Sequence, residues 1–209
     1  MLLPRLYPIL DAGLLERAVI SHDTFALELR AAGIRFLQYR DKHSPNAEFV
    51  ARAHRLRQIF PSIDSTMILN DRAHQCTAAR CDGVHIGQQD ISPSEARAVA
   101  GNSAYIGLST HNEAQLAAAA AAPVDYLAIG PVFATSSKQN PDPVVGLAGV
   151  KVARALTDKP LVAIGGITAE NVRSVFDAGA DSVALISALL PSAGRDAAKV
   201  IADFLARIG

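Results

Sequence analysis

The sequence has no tryptophan, only two cysteines among 209 residues, and no excess of charge of either sign. Each absence excludes something. Lys+Arg and Asp+Glu both number 20, so there is no broad basic surface of the kind that counterion-driven nucleic-acid binding needs. A local basic pocket stays allowed. Cys76 and Cys81 are not spaced as CxxC and no histidine cluster sits beside them, which argues against a zinc site. Two thiols in an enzyme-sized chain fit a reducing, cytoplasmic setting. No window approaches the roughly 18 uninterrupted apolar residues of a membrane span. The opening "MLLPRLYPILDAG" is broken by Pro4, Arg5 and Asp11, too short and interrupted an apolar run for a signal peptide. No GxGxxG follows the first strand-like run, which weakens a dinucleotide-binding reading.

What is present is alternation. Eight short apolar runs read as strands: residues 5–11, 34–42, 65–71, 83–88, 104–110, 125–130, 160–166 and 181–187. Helix-patterned stretches lie between them, such as 47–60, 112–122 and 169–179, and "GRDAAKVIADFLARIG" closes the chain. Ser92 before Pro93 is a helix start, and Gly33, Gly101 and Gly179 stand where helices should stop. "AAAAAA" at 117–122 reads as a close-packed helix. Alternating strand and helix predicts a parallel sheet with right-handed crossovers. Eight repeats in about 210 residues predict a small single-domain (β/α)8 TIM barrel over residues 1–209, with a doubly wound open sheet as the alternative. In a barrel, function collects at the C-terminal ends of the strands.

The strand ends carry the chemistry. Gln38, Arg40 and Lys42 share one face of the second strand, with Leu37 and Tyr39 on the other. Two cations inside a barrel mouth are costly unless an anion meets them. Asn70 and Asp71 end the third strand, and Asp90 follows the fourth. Neighbouring strands lie roughly 5 Å apart, so two carboxylates beside a basic pocket suggest Mg²⁺; taken singly, Asp71 also reads as a helix cap. Ser109 ends the fifth strand. His85 and His111 read as packing or surface residues, because no nucleophile–base–orienter set accompanies either. Thr135, Ser136, Ser137 and Lys138 follow the sixth strand and offer small donors and a point charge for anionic groups. The loop after them is placed to close over the mouth. Gly165 and Gly166, then Ile186 and Ser187, end the last two strands, where such barrels often build a phosphate site.

The order of "LQYRDK", "MILNDR", "GVHIGQQD", "IGLSTH", "DYLAIGPVFATSSK", "VAIGGI" and "ADSVALIS" resembles the thiamine-phosphate synthase family, from Leu6 to about Leu190. The resemblance implies a Mg²⁺-dependent transferase. It joins 4-amino-5-hydroxymethyl-2-methylpyrimidine diphosphate to a thiazole phosphate and releases pyrophosphate. Gln38, Arg40, Lys42, Asn70, Ser109 and Lys138 resemble the pyrimidine-diphosphate contacts, and the substrate-binding set is taken to include the intervening Tyr39 and Asp41. Arg40, Lys42 and Lys138 are the expected catalytic cations, and Asp71 and Asp90 the expected metal ligands. Thr135, Ser136, Ser137, Gly166, Ile186 and Ser187 resemble the thiazole-phosphate contacts. Two features depart from the family: Ser137 stands where Thr is frequent, and "LYPILDAG" replaces a run resembling "LYLVTD".

In the implied reaction pyrophosphate leaves first and the thiazole nitrogen then attacks with a free lone pair. That fits the lack of a convincing general base. The alternatives are a thiazole tautomerase-like isomerase, whose magnesium motifs would be degraded, and a non-catalytic phosphate-ligand sensor on the same fold. The expected partners are small molecules, with no nucleic acid and no membrane; a homo-oligomer is compatible with the sequence.

Overall fold

The computed structural model describes residues 3–135, 142–190 and 196–208. The eight apolar runs become parallel strands: β1 Leu6–Asp11, β2 Phe36–Arg40, β3 Thr66–Asn70, β4 Gly83–Ile86, β5 Tyr105–Thr110, β6 Tyr126–Ile129, β7 Leu161–Ile164 and β8 Ser182–Leu185. Each pairs with the next, and β8 pairs back onto β1 through Leu6 with Val183, Tyr7 with Ala184 and Pro8 with Leu185. The closed ring decides between the two expected folds in favour of the barrel.

Helices among the described residues are α1 Ala12–Arg17, α2 His22–Ala31, α3 Asn46–Ile59, α4 Cys76–Ala79, α5 Pro93–Ala100, α6 Glu113–Ala120, α7 Gly146–Leu156, α8 Val172–Asp177 and α9 Ala197–Ile208. Short 3₁₀ turns lie at Ala73–Gln75 and Ser187–Leu189. The Ser92–Pro93 signal becomes a full capping box. The Ser92 hydroxyl accepts from Glu95 N, and the Glu95 carboxylate accepts from Ser92 N.

The period of two sorts each strand between two cores. Leu10, Leu37, Tyr39, Met67, Leu69, Val84, Ile106, Leu127, Leu161 and Val183 point out to the helices and are fully buried. Tyr7, Ile9, Phe36, Ile68, Tyr126, Ala128, Val162 and Ala184 point in and fill the barrel. Burying one such aliphatic or aromatic side chain is worth roughly 1.5–3 kcal/mol, so the strand–helix layer supplies much of the stability.

The bottom of the barrel repeats one latch three times. Asp82 accepts from Met67 N at 2.7 Å and from Arg57 at 2.5 Å. Asp125 accepts from Ile106 N at 2.7 Å and Arg97 at 2.8 Å, and Asp181 from Leu161 N at 2.8 Å and Arg154 at 2.8 Å. In each case one carboxylate ties the preceding strand to an arginine of the helix that leads into that strand. These charges hold the bottom closed, leaving the other rim for chemistry.

One expectation fails here. Cys76 and Cys81 are not two thiols; they form a disulfide with Cα atoms 5.2 Å apart, bridging the ends of the short α4 segment. The left-handed Arg80 (φ 55°) reverses the chain between them. Free thiols therefore give no ground for a cytoplasmic setting. No helix among the described residues is long and apolar enough to cross a membrane.

Candidate active site

At the C-terminal ends of the strands opens a cavity of about 920 Å³. Its wall takes Gln38, Arg40, Lys42, Asn70, Asp71, Asp90 and Ser109 from one side, and Thr135, Gly166, Ile186 and Ser187 from the other. Most expected site residues thus converge on one space. Ser136, Ser137 and Lys138 lie outside the described residues.

Tyr39 and Asp41 do not line this cavity. Alternation turns Tyr39 to the helices, where its ring stacks on Phe49 with centroids 4.8 Å apart. Its hydroxyl donates to Asp41 at 2.9 Å. Asp41 also accepts from His43 N and Ser44 N and pairs with Arg52 at 3.3 Å. Burial pushes the Asp41 carboxyl up, but the Ser44, His43 and Tyr39 hydrogen bonds outweigh it and hold the pKa at about 2. Asp41 braces the β2–α3 turn that carries Lys42.

The cations are met by carboxylates of the chain itself. Arg40 binds Asp11 directly, and Asp11 also caps α1 by accepting from Leu14 N at 2.8 Å. Lys42 Nζ lies 3.4 Å from Asp71 Oδ2. Asp71 has φ 64°, a left-handed conformation that costs a non-glycine residue energy. Its backbone is held there by Asp71 N donating to His85 O at 2.8 Å. The expected alternative for Asp71, a helix cap, is not what its side chain does: the following turn has no side-chain cap.

Asp90 accepts from Gly87 N at 2.7 Å. Its pKa is raised, first by burial and then by the charge of, and a hydrogen bond with, Asp71; the Gly87 N–H and Lys42 act the other way. The two carboxylates are therefore close enough to repel. Among the described residues no cluster of three or more His, Cys, Asp or Glu could hold a metal. A pair of crowded carboxylates without nitrogen or sulfur ligands fits a hard cation that fills its shell with water and substrate oxygens.

The opposite wall is backbone. Gly165 (φ 101°) and Gly166 (φ 63°) turn the chain left-handed. A Cβ on Gly166 would lie 2.5 Å from Ala134 O, and one on Gly165 2.6 Å from Pro131 Cβ. Close packing against the β6 exit is thus one reason for both glycines. Among the described residues their amides have no protein acceptor, and both residues line the cavity. His111 lies at the same rim and lines the cavity, its Nδ1 2.7 Å from Gly130 O and 3.6 Å from Asp142.

Sequence reasoning missed the polar floor. Gln38 Nε2 donates to Tyr7 Oη at 2.7 Å; Tyr7 Oη meets Tyr126 Oη at 2.8 Å; Tyr126 Oη meets His85 Nδ1 at 3.1 Å; and His85 Nε2 meets Ser109 Oγ at 2.8 Å. Burial pushes both phenols well up, so each keeps its proton. Burial also pushes His85 down to about 4, so the ring is neutral near pH 7. Gly107 makes the meeting possible, since a Cβ there would sit 2.1 Å from Tyr126 Cζ and 2.5 Å from His85 Nδ1. Part of this was legible. Tyr7, Ile9 and Asp11 alternate onto one face of β1, and the same inward face holds Gln38 and Arg40 on β2. Tyr126 meeting His85 across two strands was not.

A family model described as "Thiamine monophosphate synthase" matches residues 6–189. A curated thiamine-phosphate synthase of Koribacter versatilis is 54% identical over 190 residues, 90% of each chain. One of Agrobacterium fabrum is 39% identical over 209 residues, covering 98% of this chain and 93% of its own. The solved thiamine phosphate pyrophosphorylase of Pyrococcus furiosus superposes with a TM-score of 0.85 at 29% identity, covering 98% of this chain and 95% of that one. By its motifs, its barrel and these relatives, the chain belongs to the thiamine monophosphate synthase family.

Proposed function

We propose that this protein is a thiamine-phosphate synthase. It joins 4-amino-5-hydroxymethyl-2-methylpyrimidine diphosphate to a thiazole phosphate, giving thiamine phosphate and pyrophosphate. The observation that carries the reading is the gathering of Asp71 and Asp90 beside Lys42 and Arg40, on one rim of the cavity that Gly166 and Ser187 close from the other side.

In the reaction the C–O bond to the diphosphate breaks with its electron pair leaving on pyrophosphate. The resulting methylene cation is stabilised by the amino-substituted ring. The thiazole nitrogen supplies a lone pair for the new C–N bond, so no proton need be removed. This accounts for His85, whose two ring nitrogens are both engaged in the floor. Asp71 and Asp90 would hold Mg²⁺, which when bound neutralises charge on the departing diphosphate. Arg40 and Lys42 point positive charge at the same group, preorganised by Asp11 and Asp71. Lys138 is assigned the same task. Thr135, Ser136, Ser137, the amides at Gly165 and Gly166, and the Ile186–Ser187 strand exit are assigned to the thiazole phosphate.

The test is to mix the pure protein with both phosphorylated heterocycles and Mg²⁺ and to measure thiamine phosphate and pyrophosphate. Both should appear in equal amounts, cease with chelator and return with Mg²⁺. Binding of either phosphate without turnover would leave the sensor reading in its place, and rescue by zinc alone would remove the carboxylate–magnesium assignment.

A further inference from the structure

The turn after β7 is held by one side chain that has no part in the reaction as derived. Asn171 Oδ1 accepts from Thr168 N at 2.8 Å, and Asn171 Nδ2 donates to Gly166 O at 3.0 Å. Both partners are main chain. An N–H can only donate and a carbonyl oxygen can only accept, so this carboxamide has one orientation. The two carbonyls before Gly166 are also engaged. Ile164 O accepts from Val132 N at 2.9 Å, and Gly165 O from Phe133 N at 3.0 Å. The β6 exit thus fixes two consecutive peptides, and Asn171 alone fixes the third.

That third bond has a consequence on the far side of its peptide. A trans peptide points its C=O and N–H in opposite directions, and Gly130–Pro131 is the one cis bond among the described residues. With the Gly166 oxygen drawn toward Asn171, the Ile167 N–H is turned away from it. Among the described residues that N–H has no protein acceptor. The Ile167 side chain packs in the core between strands and helices, yet Ile167 lines the cavity beside Gly165, Gly166 and Thr168. What it presents to the cavity is therefore main chain. Gly165 and Gly166 have φ 101° and 63°, and glycine backbone resists rotation of such a peptide little. Turned over, the peptide would aim a carbonyl oxygen where it now aims an N–H. A run of N–H groups attracts an anion, and an oxygen among them repels it.

Resting on the proposed activity, we propose that Asn171 is a positioning residue for the thiazole phosphate. It sets the Gly166–Ile167 peptide so that the turn offers the phosphate donors only, the Ile167 N–H among them. The two ends of its side chain divide the work. The oxygen serves Thr168 N and the start of α8; the nitrogen serves Gly166 O and, through that peptide, the site.

The test measures, by calorimetry, binding of the thiazole phosphate and of the thiazole alcohol that lacks the phosphate. It uses the wild type, Asn171→Ala and Ser21→Ala, with circular dichroism and two-substrate kinetics on each. Ser21 caps α2 by accepting from Thr24 N, so its variant controls for the loss of a capping bond as such. Asn171→Ala should weaken the phosphate ester at least about tenfold, the scale of one hydrogen bond to a charged group, and the alcohol much less. KM for the thiazole phosphate should rise, with KM for the pyrimidine diphosphate unchanged. Ser21→Ala should keep the wild-type ratio of ester to alcohol. In the wild type, nitrogen-15 NMR should show the Ile167 amide shifted by the ester and not by the alcohol, a readout that needs no variant. An Ile167 amide unmoved by the ester would overturn the proposal, as would a folded Asn171→Ala that loses ester and alcohol alike or neither. A wild type that binds the ester with these properties and forms no thiamine phosphate would remove the proposed activity and not the positioning role.

Discussion

The two walls of the cavity are built on different principles. From β1 to β5 the wall is side chains: Arg40 on Asp11, Lys42 on Asp71, Asp90 crowded by Asp71, and the chain from Gln38 to Ser109. From β6 to β8 it is small residues and turned backbone, with Gly165 and Gly166 packed against the β6 exit. A leaving diphosphate changes its charge distribution during reaction, so mobile ions and long cations suit it. A phosphate that is merely held keeps its charge, and fixed amides suffice. Substitution should therefore strike rate on the first wall and binding or folding on the second.

The sharpest break of that contrast is at the carboxylates. Asp71→Ala and Asp90→Asn should each lower kcat on the order of 10²–10³ or more, the scale of losing a preorganised electrostatic element, with unchanged circular dichroism. Asp90→Asn should not destabilise the free protein, because it removes a like-charge contact. Equal loss of kcat in variants of the glycine wall would erase the distinction.

Gly166→Ala probes that wall. The new Cβ would meet Ala134 O at 2.5 Å with φ at 63°, so stability should drop by about 1–3 kcal/mol. The remaining folded enzyme should show a raised KM for the thiazole phosphate more than a lowered kcat. Thermal denaturation and two-substrate kinetics check both.

Asp41 supports the first wall from behind and gives it an acid limit. Its folded pKa, about 2, lies below its ordinary 3.8, so its contribution is fully present above pH 4 and is lost as pH falls toward 2. Asp41→Asn should flatten the stability profile in that window and cost about 1.5–3 kcal/mol at pH 7, the range of a hydrogen bond to a charged group. Denaturant titrations from pH 2 to 7 measure it. The smallest effect should be a gain: among the described residues the Ser182 hydroxyl, buried in the barrel, has no partner, and Ser182→Ala should raise stability by about 1 kcal/mol.

Particular residues show how much was readable beforehand. Alternation in "LQYRDK" placed Gln38, Arg40 and Lys42 on the cavity side, and the same rule should have kept Tyr39 and Asp41 out of the binding set. Carrying over a contiguous motif overrode the pleat. Asp71 and Asp90 were readable as a pair because neighbouring strands in a parallel barrel end side by side. The thiol reading of Cys76 and Cys81 failed because a spacing of five says nothing of the left-handed reversal at Arg80 that brings them together.

The sequence by itself determined the eight-fold alternation, the inward and outward faces of each strand, and the rim on which polar residues collect, since these follow from local periods of two and 3.6 along the chain. Only the tertiary structure decided that Arg40 rests on Asp11, that Asp71 holds a strained backbone beside Asp90, and that Tyr7, Tyr126 and His85 join into one hydrogen-bonded chain. Those contacts run between separate strands, some more than a hundred residues apart. Whether two side chains meet there is settled by closure of the ring and by missing atoms such as the Cβ of Gly107, neither of which has a local signature.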